Sequence, residues 1–137
     1  MRADSRLTHH DLCFGCGQAN LFGLQLELEP RDDGGASGRF FVKQDHQGPP
    51  GYAHGGIMAT ALDEAMSLLA HHVGTYPLTA SLSIELRAPA PVGAFVEVDA
   101  EVVSVEGRRL TLRSTASNEG VVLAEGTATC VEVKPPE

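Results

Sequence analysis

Asp63 is the side chain of this sequence best placed to do chemistry. It lies in a stretch from Gly55 to about Val73 that lacks proline and, after Gly56, lacks glycine. Ala59 stands one turn before it, and Ser67 and Ala70 follow one and two turns later on the same side, so small neighbours leave room around the carboxylate. A carboxylate in such a place can take a proton from water or attack a carbonyl carbon directly. The stretch opens at His54-Gly55-Gly56. Glycine lets a ligand approach the main chain closely, and the unpaired N–H groups of a first helical turn carry partial positive charge, so a carbonyl oxygen placed there is polarised. Sixteen residues after Asp63, Thr79 opens a segment rich in hydroxyls, with Ser81 and Ser83. The plainer alternatives are that Asp63 and Glu64 form a solvated helix face, and that the glycine pair only permits a tight turn.

These residues need a scaffold, and the pattern of the chain predicts one. Leu24, Leu26 and Leu28 alternate with polar residues up to Pro30, which is the period of a strand with one buried face; Gly38 to Lys43 suits a hairpin partner, with Phe40 and Val42 on one side. Gln47-Gly48-Pro49-Pro50-Gly51 cannot continue a ladder and must be a loop. Ile57, Ala61, Ala65 and Leu68, widened by Met58, Leu62 and Leu69, recur at helical spacing, and Gly74 is a fitting stop. Four alternating runs follow, Thr79 to Arg87, Phe95 to Val105, Arg109 to Ala116 and Val121 to Val133, separated by turn residues. About six strands and one long helix predict an α+β fold with the helix lying across the concave face of the sheet.

At 137 residues, one domain spanning the chain is expected, with residues 1–22 as an N-terminal arm and Lys134-Pro135-Pro136-Glu137 as a tail. A formal net charge of −8 opposes nucleic-acid binding. No apolar run is long enough for a membrane span, and Met1 to His10 lacks the apolar core of a secretion signal, so a cytoplasmic protein is expected. The odd count of Cys13, Cys16 and Cys130 suits free thiols. Cys13 and Cys16, with His9 and His10 upstream, have the spacing of half a zinc site, but no second cysteine pair follows, and neither a metal nor a cofactor is expected.

The segment His46 to Ala65, HQGPPGYAHGGIMATALDEA, resembles the signature of phenylacetate-type thioesterases of the hotdog fold, above all the branch with the mammalian thioesterase superfamily members that act on fatty acyl-CoA. Cys13 to Leu26, CFGCGQANLFGLQL, is similar to the start of many relatives, and Thr79 to Gly93, TASLSIELRAPAPVG, to the strand that follows the family's helix. The resemblance implies an antiparallel sheet wrapped around the helix and hydrolysis of a fatty or aryl acyl-CoA to free acid and CoA. It implies Asp63 as general base or nucleophile, Gly55 as main-chain donor to the thioester oxygen, Thr79 as the hydroxyl that helps place water, and His54 as the motif histidine. His46, Gln47, Gly48, Gly56 and Ser81 are expected to line the substrate. Some relatives have an asparagine where this chain has Gly48, so that contact falls to Gln47 or His46 or is missing.

The resemblance further implies a homodimer with the active site between subunits, and from it a homotetramer. A hotdog protein that holds acyl-CoA as a sensor is the chief alternative, since fold does not fix function; a hotdog dehydratase fits the His-Gly-Gly and Asp63 pattern poorly. Arg108 and Arg109 are expected to meet the phosphates of coenzyme A. Reversing both charges should therefore raise KM for coenzyme A esters, and an unchanged KM would remove them from the site.

Overall fold

A computed structural model of the chain describes residues 5–74 and 76–133; the expected tail, Lys134 to Glu137, lies outside them. In chain order the elements are β1 (Glu27–Pro30), β2 (Ala36–Phe41), a turn of 3-10 helix (Gln44–His46), α1 (Gly55–Val73), β3 (Pro77–Leu86), β4 (Phe95–Glu106), β5 (Arg109–Asn118) and β6 (Val121–Glu132). The strands form one antiparallel sheet in the order β1-β2-β4-β5-β6-β3. β2 lies next to β4, while β3 is the far edge, so α1 carries the chain across the sheet. The helix packs on β2, β3, β4, β5 and β6, which is the hotdog arrangement. No helix among the described residues is long and apolar enough to cross a membrane.

The helix forms where its apolar spacing predicts, and Met58, Ala61, Leu62, Ala65, Met66, Leu68 and Leu69 are buried in it. Gly74 ends it, its N–H donating to Ala70 O at 2.8 Å. On β6, Gly126 lets the helix lie close to the sheet: a Cβ there would stand 2.9 Å from Ile84 Cδ1 and 3.3 Å from Met66 Cε.

Two expectations change. The Leu24–Leu28 alternation reports a buried face correctly, since all three leucines are buried, but only Glu27–Pro30 joins the ladder. Gln25 has φ 51°, and the N–H groups of Leu24 and Leu26 donate instead to Phe14 O and Gly15 O, each at 2.9 Å. The partner of this run is the arm, whose described residues are joined to β1 by Leu7 N–H to Leu28 O at 2.7 Å. The hairpin partner β2 begins earlier than predicted, at Ala36, and Val42 leaves the strand while staying buried, its N–H donating to Ala94 O at 2.9 Å.

Leu62 is fully buried between helix and sheet, whereas Val105 is largely exposed. Leu62→Ala should lower unfolding free energy by about 2–5 kcal/mol, and Val105→Ala by about 0.5 kcal/mol or less, as read from urea denaturation.

Candidate active site

The loop before α1 is a built structure. Gln47 bridges to Ala53, Gly48 N–H donates to Tyr52 O at 2.9 Å, and Gln47 Oε1 accepts from Gly51 N–H at 2.6 Å. Gly51 has φ 87°, a left-handed conformation that suits glycine. Gly48 faces His54, where a Cβ would stand 2.8 Å from His54 Cα. Beneath the loop His46 is buried, with Lys43 N–H donating to its Nδ1 at 3.0 Å and its Nε2 lying 3.1 Å from Gly23 O. These contacts fix a neutral ring, protonated at Nε2, and leave no ring nitrogen for a ligand. His46, Gln47 and Gly48, expected as substrate contacts, all take part in holding this loop.

His54 is the N-cap of α1: its Nδ1 accepts from Gly56 N–H at 2.8 Å. Gly56, expected at the substrate, has its N–H occupied by that cap. Among the described residues the Gly55 N–H has no acceptor, so it is the donor left open at the positive end of the helix. A Cβ on Gly55 would lie 2.9 Å from Leu86 Cδ1, which places the helix start against the last residue of β3.

Asp63 is half-buried, and burial first, then the neighbouring charge of Glu64, pushes its carboxyl above the ordinary range, against the opposing charge of His9. Its charge also helps raise the thiol of buried Cys130, after the larger effect of burial. Thr79 Oγ1 lies 3.8 Å from Sγ of Cys130, the same thiol that the charge of Asp63 influences, a neighbour that no motif in the sequence signals.

A bulge between Thr79 and Ser81 decides which hydroxyl faces inward. Thr79, Leu82 and Leu86, themselves exposed at this sheet edge, pair with Cys130, Ala128 and Ala124, which are buried on the helix side, whereas Ser81 and Ser83 pair with Thr129 and Thr127 on the other side. The expected hydroxyl row is therefore split, and Ser81 is turned away from the face that holds Asp63. Arg109 pairs with Val131 and alternates with buried Leu110, which puts it on the outer face too, at the Thr79 end of the sheet; Arg108 precedes it in the turn. Gly55 and Asp63 are eight residues apart on one helix, about 12 Å at the helical rise.

Glu64 is buried beneath the arm, against the reading of Asp63 and Glu64 together as a solvated face. Its Oε2 is 2.9 Å from His9 Nδ1 and 3.4 Å from Cys13 Sγ. Burial pushes this carboxyl up, but His9 and Cys16 outweigh it and hold it below its usual range, while the hydrogen bond to Glu64 raises His9 to about 9. Burial leads the rise of the Cys16 thiol. The ligand-type atoms of His9, Cys13, Cys16 and Glu64 all lie within 4.8 Å of one another. The sequence pointed to three of these four residues, with His10 as an alternative to His9; the fourth, Glu64, is a helix residue with no cysteine or histidine beside it.

The sequence model of the thioesterase superfamily matches residues 50–125, from the glycine-proline loop through α1 into β6, and the chain belongs to that superfamily. Within it the chain is of the phenylacetate, PaaI-like type. It is 30% identical to the phenylacetic acid degradation protein PaaI of Thermus thermophilus, with a TM-score of 0.72 covering 82% of this chain and 95% of that one. It is also similar to acyl-coenzyme A thioesterase THEM4 of Xenopus laevis, 30% identical over 91 residues, which are 65% of this chain and 41% of that protein. Acyl-coenzyme A thioesterase THEM5 of Homo sapiens is 37% identical over 70 residues, 51% of this chain and 28% of that protein. The chain thus spans less than half the length of these two relatives.

Burial first, then the charge of Lys43, lowers the His46 pKa, outweighing the hydrogen bond to Gly23 and the charge of Asp45, which oppose the shift. Above pH about 6.5, the unfolded value, His46 is neutral in both states and its environment costs nothing. As pH falls below that value the unfolded chain takes up a proton that folded His46 refuses, and stability declines until the lowered folded pKa is passed. Between pH 8 and pH 5, native protein should therefore lose more unfolding free energy than His46→Gln, by urea denaturation; equal losses would show that His46 does not carry the effect.

Proposed function

We propose that this chain hydrolyses the thioester of a fatty or aryl acyl-coenzyme A to free acid and coenzyme A. The observation that carries the reading is the open Gly55 N–H at the start of α1, in a thioesterase-superfamily chain whose same helix holds half-buried Asp63 and covers the sheet face on which Thr79 lies. The Gly55 N–H donates to the thioester oxygen as it gains negative charge. Asp63 accepts a proton from water held by Thr79, the water oxygen bonds to the carbonyl carbon, and the C–S bond breaks to release the coenzyme A thiolate, which is then protonated. Direct attack by Asp63 would instead pass through a mixed anhydride. Single turnover in 18O-labelled water separates the routes, since only the anhydride route can place the label in Asp63.

Two protomers complete this site. β3 is an edge strand of ten residues, with Leu82 and Leu86 exposed on the helix side and Leu78 exposed on the outer face, an edge suited to pairing with another strand. Antiparallel pairing of two copies of β3 about a midpoint near Leu82 would set Thr79 and Asp63 of one protomer against Leu86 and Gly55 of the other. This closes the separation along the helix that a single chain leaves, and it supports a homodimer as the working unit, with a homotetramer as its further assembly.

The first test is thiol release from short, long and aryl acyl-CoAs. Asp63→Asn should lower kcat by about 10²–10⁴-fold, and turnover unaffected by that change would refute the assignment. Gly55→Pro removes the donor at a helical position that tolerates proline and should also be nearly inactive. Mixing the two variants after subunit exchange should restore roughly a quarter of native activity, because half the dimers are mixed and each of those has one intact site. Absence of any recovery from exchanged subunits would mean that each chain carries its own complete site.

A further inference from the structure

We propose that His9, Cys13, Cys16 and Glu64 bind one Zn²⁺ ion, which fastens the N-terminal arm to α1 in the turn that carries Asp63. The four donors come from two segments far apart in sequence: three from the arm and Glu64 from the helix. A tetrahedral zinc ion with thiolate, imidazole and carboxylate ligands sets neighbouring ligand atoms about 3.3 to 3.8 Å apart, from its bond lengths. The corresponding separations are 3.7 Å for Cys13 Sγ to His9 Nδ1, 3.9 Å for Cys16 Sγ to His9 Nδ1, 3.4 Å for Cys13 Sγ to Glu64 Oε2 and 2.9 Å for His9 Nδ1 to Glu64 Oε2. Three are close to the expected edges, and the shortest joins the two atoms that already share a proton. A metal ion would replace that proton and spread the pair.

The surroundings are those of a metal centre more than of a lone ion pair. The main-chain N–H of His9 points at Cys16 Sγ at 3.2 Å and the Thr8 hydroxyl lies 3.6 Å from the same sulfur, groups able to stabilise a thiolate. His9 Nε2, the nitrogen away from the cluster, lies 3.3 Å from Ser67 Oγ, and the His71 ring packs edge-on at 5.0 Å between centroids, so the imidazole is held with Nδ1 inward. Gly15 sits between the two cysteines where any Cβ would collide with the Glu64 side chain, so glycine here makes room for the carboxylate to reach the sulfurs. An ion pair between His9 and Glu64 needs neither thiol nor this glycine.

The donor chemistry selects the ion. Two thiolates exclude magnesium and calcium, which take oxygen, and the mixture of sulfur, nitrogen and oxygen in a four-cornered set is that of zinc. All four positions would be filled by protein, so the site is structural, with no position left for water or substrate. Binding releases the thiol protons of Cys13 and Cys16 and the Nδ1 proton of His9, leaving two thiolates, a neutral imidazole and the carboxylate around the ion.

The test is metal content of the full chain purified from zinc-supplemented cells without chelator. About one zinc per chain is expected in native protein and in Cys130→Ser, and none in Cys13→Ser with Cys16→Ser or in Glu64→Gln. Native protein that carries no zinc and takes up none from zinc sulfate would overturn the proposal, as would zinc retained by the cysteine double variant. Because those variants can misfold, the native chain supplies a second reading. Cobalt reconstitution should give the ligand-field and thiolate charge-transfer bands of a tetrahedral sulfur site. EDTA should lower Tm and speed reaction of Cys13 with a thiol reagent, and zinc should reverse both. Cobalt bands of an octahedral, sulfur-free ion, or a Tm and thiol reactivity indifferent to EDTA, would refute the site.

Discussion

One helix has to be buried by one sheet, and most of the structure follows from that constraint. α1 has a wide apolar surface, from Met58 to Ala70, and no second helical layer to share it with among the described residues. Burying it requires the sheet to reach around it, with contacts from β2 through to β3, and requires small residues where helix and strands come closest, as at Gly126. The crossing from β2 to the opposite edge lays the helix diagonally over the strands between. Its two ends thereby meet different partners: Gly55 abuts Leu86 at the end of β3, and Gly74 lies near Glu132 at the end of β6.

The same helix also sets what the candidate site offers by what it leaves unburied. His54 spends its ring nitrogen on Gly56, which isolates the Gly55 N–H as a donor. Eight residues on, Asp63 is on the border of the core, desolvated enough to shift its carboxyl yet still partly open. A polar group in such a place is costly without a partner, and perturbed carboxylates of this kind cluster at functional sites. The bulge at the start of β3 then selects Thr79, out of three nearby hydroxyls, to share its face.

Glu64 shows how closely two adjacent carboxylates can differ. Asp63 and Glu64 are neighbours in sequence, but Asp63 is half-buried at the border of the core, whereas Glu64 lies beneath the arm against His9, Cys13 and Cys16. Opposite pKa displacements follow: desolvation and a like charge raise Asp63, while a cationic histidine and thiol donors lower Glu64. The arm is therefore part of the electrostatic environment of the candidate site as well as a cover for the helix.

Local sequence determined the elements. Periodicity marked α1 and every strand region, the glycines and prolines marked the breaks, and the His-Gly-Gly start with Asp63 was legible because helix geometry relates those residues over a few turns. Tertiary structure decided what depends on distant segments meeting. The Leu24–Leu28 alternation could show a buried face but not that half of it would pair with the arm; three alternating hydroxyls could not show a bulge that turns two of them outward. His46 has the look of a ligand-binding side chain until Gly23 and Lys43 close on its two nitrogens. Glu64 resembled a surface acid until residues more than fifty positions away folded over it. Short-range pattern fixes backbone conformation and which face is apolar, whereas hydrogen-bond partners, burial of polar groups and the gathering of donors are set by long-range packing that no local period encodes.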